Sequence, residues 1–164
     1  MIVGILGSGG REHAICETLK KSKNIKKLYC FPGNAGTAEI ATNINVDIEN
    51  FEEIYEIFSL IDLNILTSYS ECFPNVIAEA MSCGTPCIST KVGEAENIIS
   101  NCGWIINDYS SETLSEKILE ILKYGKKDLQ IKADICRNRI INNYSMEIMI
   151  DSYKRLYSEY KTRL

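Results

Sequence analysis

Hydrophobic and polar positions along this chain switch repeatedly between a strand-like and a helical period. Short apolar runs at 2–6, 27–31, 45–48, 63–67, 86–90 and 103–106 predict strands. Between them apolar residues recur at three- and four-residue spacing, which predicts helices over 11–22, 51–60, 74–83, 95–99 and 112–124. Two further helical stretches follow, at 127–142 and 146–163. In the last of these, Met146, Ile150, Tyr153, Leu156, Tyr157 and Tyr160, with Tyr144 just before them, predict a helix packed on a sheet. Strands alternating with amphipathic helices are the pattern of a parallel sheet covered on both faces. The fold class expected is therefore α/β: a single Rossmann-like three-layer domain, its sheet mostly parallel, with C-terminal helices packed on it. No repeat, low-complexity tract or Pro/Gly/Ser-rich linker breaks the pattern, so one shared sheet is expected.

Composition narrows the function classes. With 164 residues and 45% hydrophobic content, the chain has ample material for one core and little for two. A net charge of −4 with scattered Lys and Arg leaves no basic footprint, and no nucleic-acid partner is expected. No apolar run approaches the roughly 18 residues of a membrane span, so no transmembrane segment is expected. The chain starts directly on a strand with no leader-like segment, and a cytoplasmic location is expected. Seven cysteines, an odd number lacking C-x2-C spacing, read as reduced and mostly buried thiols. Cys83 and Cys87 flank a Gly-Thr-Pro turn, and the single histidine, His13, offers no supporting ligand cluster; no metal site is expected.

Two regions carry candidate chemistry. The first is the glycine loop Gly7, Ser8, Gly9 and Gly10, which leaves a strand and opens a helix. Free amides at such a helix start bind phosphate oxygens, although the same glycines also serve a tight strand-to-helix turn. The longer strings are more specific: G-S-G-G-R-E-H-A at 7–14 and P-G-N-A-G-T-A at 32–38, followed by a V-D-I run. Over about residues 1–50 they resemble the N-terminal domain of phosphoribosylamine–glycine ligase, also called glycinamide ribonucleotide synthetase. That resemblance implies a Rossmann-like unit preceding an ATP-grasp, with phosphoribosyl-substrate positions at Gly9, Gly10, Arg11, Glu12, His13, Pro32, Gly33, Asn34 and Gly36 beside the loop residues Gly7 and Ser8. ATP and Mg²⁺ would belong to this reading alone. His13 itself reads as a first-turn helix residue held by the loop.

The second region is S-E-C-F-P-N-V-I-A-E-A-M-S-C-G-T-P at 70–86, with Glu71 and Glu79 separated by seven residues. Pro74 suits a first helical turn, which leaves the amides of Asn75, Val76 and Ile77 to face a diphosphate. Glu79 falls one turn beyond Asn75 and can accept both hydroxyls of a ribose diol. Glu71, in the loop, can reach the hydroxyls of a transferred sugar. The plain alternative is a pair of solvated helix-end charges. From about residue 51 to 164 the chain resembles the C-terminal, donor-binding half of a retaining GT-B glycosyltransferase of group 1, family four. The resemblance implies catalytic roles for Glu71 and Glu79 and donor contacts at Ser70, Phe73, Pro74, Asn75, Val76 and Glu79. Cys72 stands where that family carries the glycine of E-G-F-P. Trp104 reads as a core anchor rather than a sugar platform.

The chain is thus expected to join a ligase-like segment (1–50) to a glycosyltransferase-like one (51–164). Its expected function is that of a nucleotide-sugar-binding, glycosyltransferase-like protein. The nucleotide sugar would be its substrate, no cofactor is expected, and a separate acceptor-binding partner would complete it. The alternatives are a phosphoribosylamine–glycine ligase relative of purine biosynthesis, binding a phosphoribosyl small molecule, or a fusion with a fold and no activity. The oligomeric state is left open.

Overall fold

In a computed structural model, residues 1–47 and 49–161 are described. The chain divides into two compact units, Met1–Ile57 and Phe58–Leu164.

The first unit starts with β1 (Ile2–Gly7), α1 (Gly10–Lys20) and β2 (Lys27–Pro32). The two strands run parallel in the register Ile2↔Lys27 to Gly7↔Pro32, as a βαβ crossover requires. A short α2 (Ala35–Ala38) follows, then β3 (Thr42–Asn43), which pairs in parallel with Tyr29 and Cys30. Ile5, Leu28, Cys16 and Cys30 form the core of this unit, with Val3, Leu19, Ile25 and Ile40 packed against it. α3 (Phe51–Leu60) ends the β-α alternation of this part of the chain.

The third strand departs from the predicted 45–48 run. It lies earlier, at Thr42–Asn43, and of the predicted stretch Ile48 falls outside the described residues. Side-chain hydrogen bonds explain the shift. Asn43 donates through Nδ2 to the Asn34 carbonyl at 2.8 Å and accepts from Thr37 Oγ1 at 2.9 Å. This network fastens the chain immediately after α2, before the apolar V-D-I run is reached. The α2 turn was absent from the hydrophobic pattern because its sequence, A-G-T-A, has no apolar period.

The second unit carries β4 (Asn64–Leu66), α4 (Asn75–Ser82), β5 (Cys87–Thr90), α5 (Ala95–Ile99), β6 (Trp104–Ile106) and α6 (Ser111–Ile121). Then come α7 (Lys126–Tyr144) and α8 (Met146–Lys161); of the predicted final helix, 162 and 163 lie outside the described residues. β4, β5 and β6 pair in parallel in that order, with Asn64↔Cys87 and Ile88↔Trp104 in register. All four residues of the central strand β5 are buried, as expected of a parallel strand covered on both faces. Ile88, Ile106 and Ile121 centre one side of the core, where Trp104 packs as an anchor. On α4 the buried positions are Ile77, Ala80 and Met81, and α4 packs against α7.

Two features of the expected architecture are corrected. The described strands pair in two three-stranded parallel sheets, β1-β2-β3 and β4-β5-β6, where one shared sheet was expected. Each strand finds its parallel neighbour through the nearest helical crossover, so the ladders close locally. The second correction concerns α8, which rests against α7 rather than on a sheet and has no buried residue. The α/β class with parallel strands and C-terminal helices is as expected. Among the described residues no helix is long and apolar enough to cross a membrane.

Candidate functional site

In the first unit the glycine loop links β1 to α1, and its partner loop 32–36 links β2 to α2. The two are tied by Asn34, whose Nδ2 donates to the carbonyls of Ser8 (2.9 Å) and Gly9 (3.1 Å). Asn34 is also the cap of α2. Its Oδ1 accepts from the Thr37 amide at 2.9 Å, while its own amide donates to Thr37 Oγ1 at 2.7 Å. That reciprocal N-x-x-T cap was readable from the sequence and is what makes α2 a turn of helix. His13 sits in the first turn of α1 with its ring against Gly36: a Cβ there would stand 2.7 Å from His13 Cε1. The ring is thus held by the P-G-N-A-G loop.

The anion-binding character of this loop is tempered by its own helix. Glu12 Oε2 accepts the Gly9 amide at 2.8 Å, so a carboxylate already occupies part of the helix start. A phosphate placed there competes with Glu12. Gly10 and Arg11 remain exposed at the mouth, whereas Gly7, Pro32 and Gly33 are half-buried.

In the second unit the loop between β4 and α4 carries the other candidates. Glu71 is exposed, and Ser68 Oγ donates to its Oε1 at 2.8 Å. The Ser68 carbonyl in turn accepts from Thr90 Oγ1 at 2.6 Å, which anchors the loop to the end of the buried central strand. The loop after β5 clamps it from the other side. The Glu94 amide donates to the Cys72 carbonyl at 3.0 Å, and Gly93 adopts φ +45° so close to the carbonyls of Glu71 and Cys72 that a Cβ has no room. Glu71 is therefore a carboxylate on a fixed loop.

Pro74 is buried and caps α4, so the helix starts at Asn75, one position after the predicted start. Of the three amides expected to face a ligand, that of Ile77 is engaged by the Pro74 carbonyl at 3.0 Å, which leaves Asn75 and Val76 to present the helix start. Glu79 is exposed farther along α4. Phe73 packs its ring 6.0 Å from that of Tyr144 at the end of α7, and Cys72 and Ser70 are exposed beside it.

The hydrophobic pattern missed the residues that hold these groups: Ser68, Thr90, Gly93, Asn43 and Thr37. It also missed a groove of about 290 Å³ beyond the ends of β4, β5 and β6, lined by Thr67, Thr90, Asp108 and a tyrosine pair. Tyr69 and Tyr109 stack with ring centres 4.8 Å apart, and Tyr109 Oη donates to the Tyr69 carbonyl at 3.4 Å. No local sequence signal joins residues forty positions apart.

All seven cysteines are unpaired, and five are buried. Burial pushes the thiols of Cys16, Cys87 and Cys136 up to about 12, Cys16 also through its 3.1 Å contact with Cys30 Sγ. These thiols are protonated core groups rather than nucleophiles. Among the described residues no group of three or more His, Cys, Asp or Glu side chains is placed to hold a metal ion.

Known proteins are similar to this chain in both of the ways its motifs indicate. Sucrose-phosphate synthase from Thermosynechococcus elongatus superimposes on 99% of the chain with a TM-score of 0.72 at 18% identity, over 46% of its own length. Anabaena Alr3699/HepE in complex with UDP does so on 99% of the chain, with a TM-score of 0.68 at 17% identity, over 49% of its length. At that identity the likeness establishes the fold alone, a Rossmann-like arrangement shared with these proteins. In sequence, N-acetyl-alpha-D-glucosaminyl L-malate synthase of Bacillus anthracis is 25% identical over 108 residues, covering 65% of this chain and 28% of that protein. Phosphoribosylamine–glycine ligase of Clostridium acetobutylicum is 32% identical over 145 residues, covering 82% of this chain. The chain spans 35% of that ligase's length. The family described as phosphoribosylglycinamide synthetase, N domain, matches residues 1–96, past the point near residue 50 where the motifs change. With more than half of its residues inside that match, the chain belongs to the phosphoribosylglycinamide synthetase N-domain family.

Proposed function

We propose that the second unit binds a nucleoside diphosphate sugar and serves as the donor-binding part of a retaining glycosyltransferase-like protein. The observation that carries this reading is the fixed carboxylate of Glu71, bonded to Ser68 at 2.8 Å in the loop that opens α4, with Glu79 exposed farther along the same helix. In this reading the amides of Asn75 and Val76 take the diphosphate, Glu79 takes the ribose diol, and Glu71 takes hydroxyls of the sugar. Ser70, Phe73 and Pro74 shape the loop around the donor. Catalysis follows from positioning: the two glutamates hold the donor while its own phosphate assists transfer, and no cofactor is needed. The acceptor comes from a separate binding partner. Unpaired thiols throughout the chain fit a cytoplasmic setting.

Titration calorimetry with UDP, GDP and their sugars tests the proposal. Glu79→Ala weakens nucleotide and sugar nucleotide alike by about 1.5–3 kcal/mol, roughly 10- to 150-fold. Glu71→Ala weakens only the sugar-bearing ligand, and Cys72→Gly strengthens only that ligand by removing a side chain beside the sugar. Equal, negligible effects of all three on both ligands, in protein with an unchanged melting temperature, reduce the motif to inherited surface.

A second reading is favoured by the family match over residues 1–96. In it the loops around Gly9, Gly10 and Asn34 hold a phosphoribosyl group, while ATP and Mg²⁺ belong to an ATP-grasp supplied elsewhere. ADP formed from ATP, glycine and phosphoribosylamine by this chain, and lost on changing Gly9 or Gly10, would place the ligase reading first. The expected result is no turnover.

A further inference from the structure

Among the described residues, α8 presents an exposed apolar surface. None of its residues is buried, although seven are large and apolar: Met146, Met149, Ile150, Tyr153, Leu156, Tyr157 and Tyr160. Exposure is 62% at Met146 and 66% at both Tyr157 and Tyr160, values at odds with a helix whose sequence is built to be covered.

The spacing of these residues specifies the kind of cover. Met146, Met149, Tyr153, Leu156 and Tyr160 recur at intervals of three, four, three and four, the period of 3.5 that keeps one seam facing a second helix. Ile150 and Tyr157 widen the seam at equivalent positions of successive repeats. Charged side chains stay off it, and their distribution along the helix is uneven. Residues 146–153 hold Glu147 and Asp151 and no base, a formal charge of −2. Residues 154–161 hold Lys154, Arg155 and Lys161 against Glu159, three positive minus one negative, or +2. A copy of the same helix laid antiparallel sets the acidic half of each over the basic half of the other, and it also opposes the helix dipoles; a parallel copy sets like on like.

We propose that α8 is a self-association surface, on which a second copy of this chain docks its own α8 antiparallel about a two-fold axis. A register that places Met146 against the other copy's Tyr160 brings the two Tyr153 side chains together at the axis and covers every apolar residue of the seam. The contact is isologous and closed, so it ends at a dimer.

The full chain is measured by sedimentation across about 1–500 µM at low and high salt. A monomer–dimer equilibrium that weakens as salt rises is expected. Tyr153→Glu with Leu156→Glu places charges on the seam at positions exposed in the monomer, so the fold and its melting temperature are retained while self-affinity falls on the order of 100-fold. Orientation is read by mixing isotope-labelled and unlabelled chains, joining carboxylates to amines with a carbodiimide and identifying mixed-isotope peptides. Antiparallel docking joins Glu147 of one copy to Lys161 of the other. In a parallel pair these groups lie about 21 Å apart, at 1.5 Å of rise per residue, and do not join. A monomer at every concentration overturns the proposal, as does a dimer indifferent to the double substitution. A dimer lacking the mixed Glu147–Lys161 peptide overturns the antiparallel arrangement.

Discussion

Replacing Gly93 by alanine tests whether the loop carrying Glu71 is held by backbone packing. Gly93 has φ +45°, a conformation that costs an L-residue with a Cβ about 1–2 kcal/mol. Its Cβ would also overlap the carbonyl oxygens of Glu71 and Cys72 and stand 2.9 Å from the Cys72 carbonyl carbon. These obstacles are backbone atoms, which no rotamer change can move aside, so the loop itself must shift, at a further cost of about 1–3 kcal/mol. The total expected is about 2–5 kcal/mol. Trp104, the only tryptophan, lies in β6 of the same unit and reports its unfolding by fluorescence. With an m-value of about 2 kcal/mol/M in urea, the midpoint falls by about 1–2.5 M. The shift also displaces Glu71 from Ser68, so in protein still folded at low denaturant, sugar-nucleotide binding weakens more than nucleotide binding. A midpoint within about 0.3 M of the parent's would refute the close-packing argument, because neither the strained φ nor the overlap could then be present.

Arg139→Ala removes a guanidinium that donates through Nε to the Ile98 carbonyl at 2.7 Å and also bonds the Asn97 carbonyl, capping the end of α5. About 1.5–3 kcal/mol of stability is lost in the same urea assay, and Arg139→Lys restores only part of it, because an ammonium cannot span both carbonyls in the guanidinium's geometry. Glu12→Ala releases the Gly9 amide, at a cost of about 0.5–1.5 kcal/mol, and amide exchange in the first turn of α1 speeds up accordingly. Thiol labelling of the native protein at pH 8 proceeds first at exposed Cys72 and more slowly at half-buried Cys83, while the five buried thiols label only on unfolding. The buried thiols also set an alkaline limit. Cys16, Cys87 and Cys136 are raised from 9.0 to about 12 by burial, so the folded state keeps protons that the unfolded chain releases above about pH 9. Their contribution is fully present below pH 9 and is lost as pH rises toward 12; urea midpoints that rise over that window would contradict it.

Periodicity alone determined most of the elements of this protein. α3 and α5 fall on their predicted bounds, and β1, β2, β4, β5 and β6 fall within a residue or so of theirs, because burial on one helical face or on both strand faces is written into local spacing. The glycine strings at 7–14 and 32–38 and the paired glutamates were legible for the same reason: each is a contiguous run whose residue types have local backbone consequences. Tertiary structure decided what those runs touch. Asn43 reaches Asn34 and Thr37 and draws β3 forward to Thr42–Asn43, an outcome of hydrogen bonds that hydropathy does not encode. Thr90, twenty-two residues beyond Ser68, anchors the loop that aims Glu71, and Gly93 closes on that loop through a backbone contact. The partition of the strands into two sheets was likewise outside the reach of pattern, since every strand looked equally able to pair and only the folded chain selects its neighbours. The apolar seam of α8 marks the boundary between the two kinds of information. Its spacing states that the helix is built to be covered, and only the fold reveals that α7 leaves that seam open.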